Sequence, residues 1–379
     1  MPNILPMMMG ASGASSGTAT IWSWGYNWVG GLGLGNTTDY SSPQQIGALK
    51  DWSASTDRGK VSHSYGTSGA IKDDGSLWMW GNASSGALGD GTTTNKSSPV
   101  QIGSLTDWSF LSLGGVSGAI KTDGTLWMWG NNGDGQLGDG TATSRSSPVQ
   151  IGSLTTWSKL AVASEGAHAI KTDGTLWGWG RNDTGGFVGD GTTTTRSSPV
   201  QIGALTTWAE VAGGGAYAGA IKTDGTLWMW GKNSLYGNLG VGDQTNYSSP
   251  VQVGSLTDWS KLCCGGAFTG SIKTNGALWM WGNGVSGQLG NGTTTEVNTS
   301  PLQVGSLTDW SKLLWTSESP QNPGAIKTDG TLWVWARNDK GQLGQGNTTN
   351  TSSPIQVGSL TTWVDAGIGN KAIVGTISE

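Results

Sequence analysis

Apolar residues in this chain come in short runs separated by turn-forming residues, and the pattern is clearest in Ala-Ile-Lys-Thr-Asp-Gly-Thr-Leu-Trp-Met-Trp-Gly, Ala119 to Gly130. An Asp-Gly step between two apolar runs predicts a tight hairpin, of the type I′ kind in which both central residues take positive φ. Along the second run Trp127 and Trp129 point one way and Leu126 and Met128 the other, so this strand is predicted to be covered on both sides. Two more extended runs follow, Pro148 to Ile151 and Trp157 to Leu160. Gly, Thr and Ser fill the connections. No stretch carries a helical periodicity.

The unit recurs seven times. A Trp-x-Trp pair begins at Trp22, Trp78, Trp127, Trp177, Trp228, Trp279 and Trp333, with successive spacings of 56, 49, 50, 51, 51 and 54 residues. Ser-Ser-Pro falls at Pro43, Pro99, Pro148, Pro199, Pro250 and Pro354, with Thr-Ser-Pro at Pro301. A lone tryptophan closes each unit, at Trp52, Trp108, Trp157, Trp208, Trp259, Trp310 and Trp363. Four strands in about 50 residues, repeated in this way, predict a propeller blade rather than a solenoid coil. The first unit starts at Thr18-Ala-Thr-Ile-Trp-Ser-Trp without the preceding Ala-Ile-Lys-Thr-Asp-Gly strand, and Lys371 to Glu379 supplies such a strand after the last tryptophan. The expectation is an all-β, single closed seven-bladed propeller over residues 18–379, its first blade completed by the C-terminal strand. Closure would remove the exposed sheet edges of an open array. Residues 1–17, rich in Gly, Ser and Met, are expected to form an arm that docks on a partner.

Composition sharpens this picture. A chain of 379 residues would ordinarily be two or three domains; the repeat makes it one ring. Of the 23 tryptophans, 21 occupy repeat positions, three per unit, and are assigned to packing. Net charge is −5 with no basic cluster, which disfavours binding of nucleic acid through its phosphates. No apolar run approaches the roughly 20 residues of a membrane span. No basic residue precedes Met7 to Met9, so no secretory signal is expected there. Cys263 and Cys264, adjacent in sequence, read as two small apolar strand residues.

Candidate chemistry is sparse. The two histidines, His63 and His168, fall in different units, and no Ser or Cys gathers with His and Asp, so no catalytic residues are expected. The same scarcity gives no zinc-like spacing, and neither metal nor cofactor is expected. Gly133-Asp-Gly-Gln-Leu-Gly138 fits the dinucleotide pattern G-x-G-x-x-G, but no helix follows, and the segment reads as a turn. The recurring lysines Lys72, Lys121, Lys171, Lys222, Lys273 and Lys327 lie beside the turn acids and read as solvated strand ends. The alternative is a ring of cations that binds an acidic partner.

The stretch Asp123 to Gly138, Asp-Gly-Thr-Leu-Trp-Met-Trp-Gly-Asn-Asn-Gly-Asp-Gly-Gln-Leu-Gly, resembles the repeats of the regulator of chromosome condensation family. Those repeats have a Gly, an aromatic strand ending Trp-Gly, then Asn and Gly-Gln-Leu-Gly. The resemblance covers residues 18 to 379 and implies a seven-bladed β-propeller. In Gly166-Ala-His-Ala-Ile170 it implies that His168 is a packing residue. It implies less about function, because the fold serves exchange factors, enzyme inhibitors and binding scaffolds alike.

Function is therefore sought where the repeat breaks. Gly25 to Gly31 carries Tyr26 and Trp28; the lengthened stretch Ser55 to Tyr65 carries His63 and Tyr65; an insertion adds Leu235 and Tyr236; and the long stretch Leu314 to Pro323 carries Trp315 and Glu318. Aromatic residues in irregular loops are common binding material, so Tyr26, Trp28, His63, Tyr65, Tyr236, Trp315 and Glu318 form the expected partner-binding set. The favoured reading is a non-enzymatic scaffold, a structural or adhesion component of a larger particle such as a phage virion, at the virion or extracellular surface. A secreted or surface binder resembling the propeller-type β-lactamase inhibitor is the alternative. A guanine-nucleotide exchange factor for a small GTPase comes third, because neither the wedge-like hairpin nor the acidic face of such factors maps onto these residues.

Overall fold

The Asp-Gly hairpins close as three-residue loops. Lys121 N–H donates to the Thr125 carbonyl and Gly124 N–H to the Lys121 carbonyl, both at 3.0 Å. Only Gly124 takes a positive φ, +78°. The turn is thus a type I turn followed by a glycine bulge, not the expected type I′. The reason lies in the carboxylate: Asp123 Oδ1 accepts the Thr125 N–H at 2.9 Å and the Thr125 hydroxyl at 2.7 Å, a bonding pattern that leaves Asp123 on ordinary backbone. These bonds also hold the Asp123 carboxyl below its usual range.

The computed structural model describes residues 18–56, 59–294, 297–314, 322–369 and 371–379. The expected arm at residues 1–17 lies outside them. Seven four-stranded antiparallel sheets stand around one axis. The third blade is representative: Trp108–Leu113, Ser117–Lys121, Leu126–Gly130 and Arg145–Gln150 follow one another from the axis outward. Strands that begin at the lone tryptophan, such as Trp108–Leu113 and Trp157–Val162, lie side by side around the axis. In the first blade Ala19–Gly25 and Tyr40–Gln45 join Trp363–Gly369 and Ala372–Ser378. The ladder runs from Ala19 opposite Ser378 to Gly25 opposite Ala372, and the ring is closed.

Each tryptophan class has its own task. The second of each Trp-x-Trp pair is fully buried, and its indole N–H reaches into the preceding blade: Trp129 donates to the Ala87 carbonyl at 2.9 Å, Trp179 to Gln136 at 3.0 Å and Trp24 to Gln342 at 3.0 Å. The accepting loop must come close, and Gly138, at φ +77°, would place a Cβ 2.7 Å from Trp179 Nε1. Lone tryptophans meet the pair edge-on, with Trp108 at 6.1 Å from Trp127 and 6.4 Å from Trp129. Core volume is kept constant across a ladder pair. Gly118 faces Met128 and Gly219 faces Met229, whereas in the fourth blade His168 faces Gly178. A Cβ on Gly178 would lie 2.9 Å from the His168 ring. His168 is buried and fills that space.

The recurring lysines are not solvated strand ends. Lys72, Lys121, Lys171, Lys273 and Lys327 are buried, because the ladder sets each ammonium between two indole rings. Lys121 Nζ lies 5.0 Å from the Trp108 ring and 4.6 Å from that of Trp127. Its carboxylate partner is Asp107 of the lone-tryptophan motif, at 3.3 Å, not the turn acid. Blades four and five have Thr156 and Thr207 in place of that Asp, and there Lys171 and Lys222 move closer to the pair, to 3.7 Å from Trp177 and 3.8 Å from Trp228. Burial pushes the Lys171 ammonium below its ordinary value, against the opposing pull of Asp173. Cys263 and Cys264 are free and buried in the innermost strand Trp259–Cys264.

Candidate protein-binding surface

The ring has two faces. One carries the Asp-Gly and Asn-Gly hairpins; the other carries the hairpin tips between the two innermost strands and the loops that follow each Trp-x-Trp strand. On this second face a buried asparagine pins the loop in five of the seven blades, Ala83 and Gly284 taking its place in the second and sixth. In the first blade buried Asn27 takes the Leu32 N–H on Oδ1 at 2.9 Å, gives Nδ2–H to the Asn36 carbonyl at 3.1 Å, and its own N–H goes to Asp39 Oδ1 at 2.8 Å. With Asn27 turned inward, the residues on either side of it turn outward.

Those residues are Tyr26 and Trp28. Their rings stack at 6.4 Å between centroids with planes 16° apart, and Trp28 is 58% exposed. Tyr26 N–H donates to the Lys371 carbonyl at 2.8 Å, so the pair stands on the blade that both chain ends build. Lys340 of the seventh blade places Nζ 4.7 Å over the Tyr26 ring and 3.5 Å from Asp39. Tyr65 caps the neighbouring hairpin of the second blade at φ +51° and is 46% exposed. The next residue, Gly66, touches the loop: a Cβ there would lie 2.9 Å from Val29 and 3.5 Å from Trp28 Nε1. Tyr26, Trp28 and Tyr65 thus form one aromatic surface across the joint of blades one and two, edged by Lys340 and by the Lys371–Asp339 ion pair at 2.7 Å.

The other expected residues fall elsewhere. His63 does not belong to the surface: it is 2% exposed because its strand Val61–Ser64 is innermost and covered. Its Nδ1–H donates to Ser68 Oγ at 2.6 Å, and that hydroxyl donates to the Gly31 carbonyl at 2.6 Å, so the ring supports the Tyr26–Trp28 loop from below. Burial lowers its pKa to about 4. Tyr236 is half-buried on the same face but in the fifth blade, beside Leu235 at 65% exposure and φ +99°. It lines a separate recess of about 230 Å³ with Ser164, Glu165 and Lys232. Trp315 and Glu318 lie outside the described residues. Lys340 was missed from the sequence because its contact with Tyr26 exists only once the seventh blade closes on the first. Among the described residues no group of three or more His, Cys, Asp or Glu comes together as a metal site. None of their helices is long and apolar enough to cross a membrane.

Comparison with known proteins agrees with this architecture. The chain is 36% identical over 149 residues to the ultraviolet-B receptor UVR8 of Arabidopsis thaliana, covering 39% of this chain and 33% of that protein. It is 32% identical over 169 residues to the mitochondrial RCC1 domain-containing protein RUG3 of the same plant, covering 44% and 37%. The aligned stretches thus span about a third of these relatives. Among solved structures, Prp20p of Saccharomyces cerevisiae superposes with a TM-score of 0.80 at 16% identity, over 97% of this chain and 93% of that one. Human WBSCR16 superposes with a TM-score of 0.79 at 20% identity, over 95% and 99%. At these identities the superpositions speak for the fold alone. Residues 19–56, 74–114, 123–169, 173–221, 224–272, 275–312 and 329–374 each match the regulator of chromosome condensation (RCC1) repeat. With repeats matched over most of its length, the chain belongs to the regulator of chromosome condensation repeat family.

Proposed function

We propose that the chain is a non-enzymatic scaffold that binds a protein partner through the Tyr26–Trp28–Tyr65 surface, as a structural or adhesion component of a larger particle such as a phage virion. One observation carries the binding reading. At the positions of Tyr26 and Trp28 other blades place residues such as Asn131 and Gly133, or Arg181 and Asp183, whereas here two rings are stacked and held in water. Tyr and Trp are among the residues that most often dominate interface energy, and each can bury about 150–250 Å². Relatives on this fold support binding in general: Prp20p is described with Kap60, and with binding to Gsp1p and histones. A particle component is favoured by a surface low in charge and rich in Thr, Ser and Gly, with charged residues only 12% of the chain. In this reading residues 1–17 and the irregular loops around Tyr236, Trp315 and Glu318 add further contacts.

The test is affinity capture from a lysate of the source and from its purified particles, using wild type, the double variant Trp28→Ala/Tyr65→Ala, and Tyr236→Ala. Wild type should retain a partner that the double variant holds at least about tenfold more weakly, a loss typical of hot-spot aromatics. Retention of every partner by the double variant would overturn the assignment of this surface. Captured particle proteins would support the scaffold role; a captured hydrolase would replace it with the inhibitor reading.

A further inference from the structure

The hairpin face, opposite the aromatic surface, holds a second feature. Two residues after six of the seven lone tryptophans, and at Lys60 in the second blade, the innermost strands turn one side chain into the mouth of the central channel. Around the ring these residues are Lys60, Phe110, Lys159, Glu210, Lys261, Lys312 and Asp365, with Lys60 placed by its carbonyl bond to Ile71 N–H as Lys159 is placed opposite Ile170. Four lysines stand against two carboxylates, in a chain whose overall charge is −5.

The pairing is uneven. Lys159 meets Glu210 at 2.8 Å and Lys312 meets Asp365 at 2.9 Å, while Lys60 donates to the Ser109 carbonyl at 2.8 Å. Lys261 has no ion pair among the described residues, although it lines the same cavity of about 730 Å³. A recess lined by an excess of one sign of charge focuses the field and draws the opposite sign. On the same face, outside the residues that line this cavity, each inter-blade connection exposes one leucine. All seven are 45–52% exposed, Leu154, Leu205 and Leu256 among them. A small anion would need only the lysines. A repeated apolar rim about a basic centre fits a larger body, one that covers leucines while it inserts carboxylates.

We propose that the channel mouth on the hairpin face receives an acidic segment of a partner protein, with Lys261 as the open cation and the leucine ring as the apolar seat. This surface is separate from the Tyr26–Trp28–Tyr65 surface, and either can fail without the other.

The probe is a fluorescein-labelled peptide of alternating Glu and Leu, followed by fluorescence anisotropy with the full chain at low ionic strength, with citrate as a competitor. Saturable binding is expected. Lys261→Glu should weaken it by about tenfold or more, and Glu210→Gln, which frees Lys159, should tighten it several-fold. Leu205→Ser/Leu256→Ser should weaken the peptide, and Trp28→Ala/Tyr65→Ala should leave it unchanged. Absence of saturable binding, or indifference to both Lys261→Glu and Glu210→Gln, would overturn the proposal. So would full displacement by citrate together with no effect of the leucine changes, which would mark a small-carboxylate site instead of a docking surface.

Discussion

Single side chains in this ring are placed by what their neighbours lack. His168 occupies the fourth blade because Gly178 stands where other blades carry a methionine, and Lys171 settles onto Trp177 because Thr156 replaces an aspartate. The two histidines give this level a pH signature. Burial depresses both from 6.5 to about 4, so between those values the unfolded chain binds protons that the folded chain does not. Their contribution is fully present above pH 6.5 and is lost as the pH falls toward 4. At about 1.4 kcal/mol per unit this amounts to about 3 kcal/mol for each histidine. Urea unfolding midpoints should therefore fall steadily from pH 6.5 to 5, above the range in which most carboxylates titrate. His168→Gln should remove about half of that slope. Equal slopes in the variant and wild type would show that His168 is not buried in its neutral form.

Strands, turns and their pairing explain what was and was not legible in the sequence. Alternation in Leu126 to Trp129 showed a strand covered on both faces, and the missing hairpin before Ile21 showed where the ring closes. Turn type was not legible, because the bonds from Thr125 to Asp123 decide between two loops that share the Asp-Gly step. The indole cages around the lysines were also hidden. They depend on the register that sets Trp108 opposite Lys121, and a repeat pattern does not specify the register between one run and the next. His63 was misplaced for a simpler reason: a lengthened segment reads as surface, yet its end is the innermost strand. Closure makes its own prediction at this scale. Removing residues 371–379 takes Ile373, Val374 and Ile377 out of the core and bares the edge of Ala19–Gly25. Three buried aliphatic side chains contribute roughly 5 kcal/mol or more, comparable to the whole stability of many domains. The truncated chain should melt well below wild type and self-associate in size-exclusion chromatography through the open edge. A monomer with an unchanged melting temperature would contradict the closure mechanism.

Across the whole molecule, sevenfold repetition separates what builds the ring from what is presented on it. Tryptophans at repeat positions hold blades together, while Tyr26 and Trp28 depart from the repeat at the one blade assembled from both chain ends, beside Tyr65 of the second blade. The seven exposed leucines had no signal in the sequence, since a leucine at a repeat position reads as core until the connection is seen to run over the surface. Closure and binding are thereby linked: Lys371, which begins the final segment, accepts from Tyr26, and Lys340 reaches Tyr26 only across the closed joint. Amide hydrogen exchange of the chain alone and with its captured partner tests this most directly. The strongest slowing of exchange is expected at 25–31, 64–67 and 338–341, with weaker slowing around Tyr236 and the regular loops of that face unchanged. Unaltered exchange in those three segments, with protection elsewhere on the ring, would contradict it.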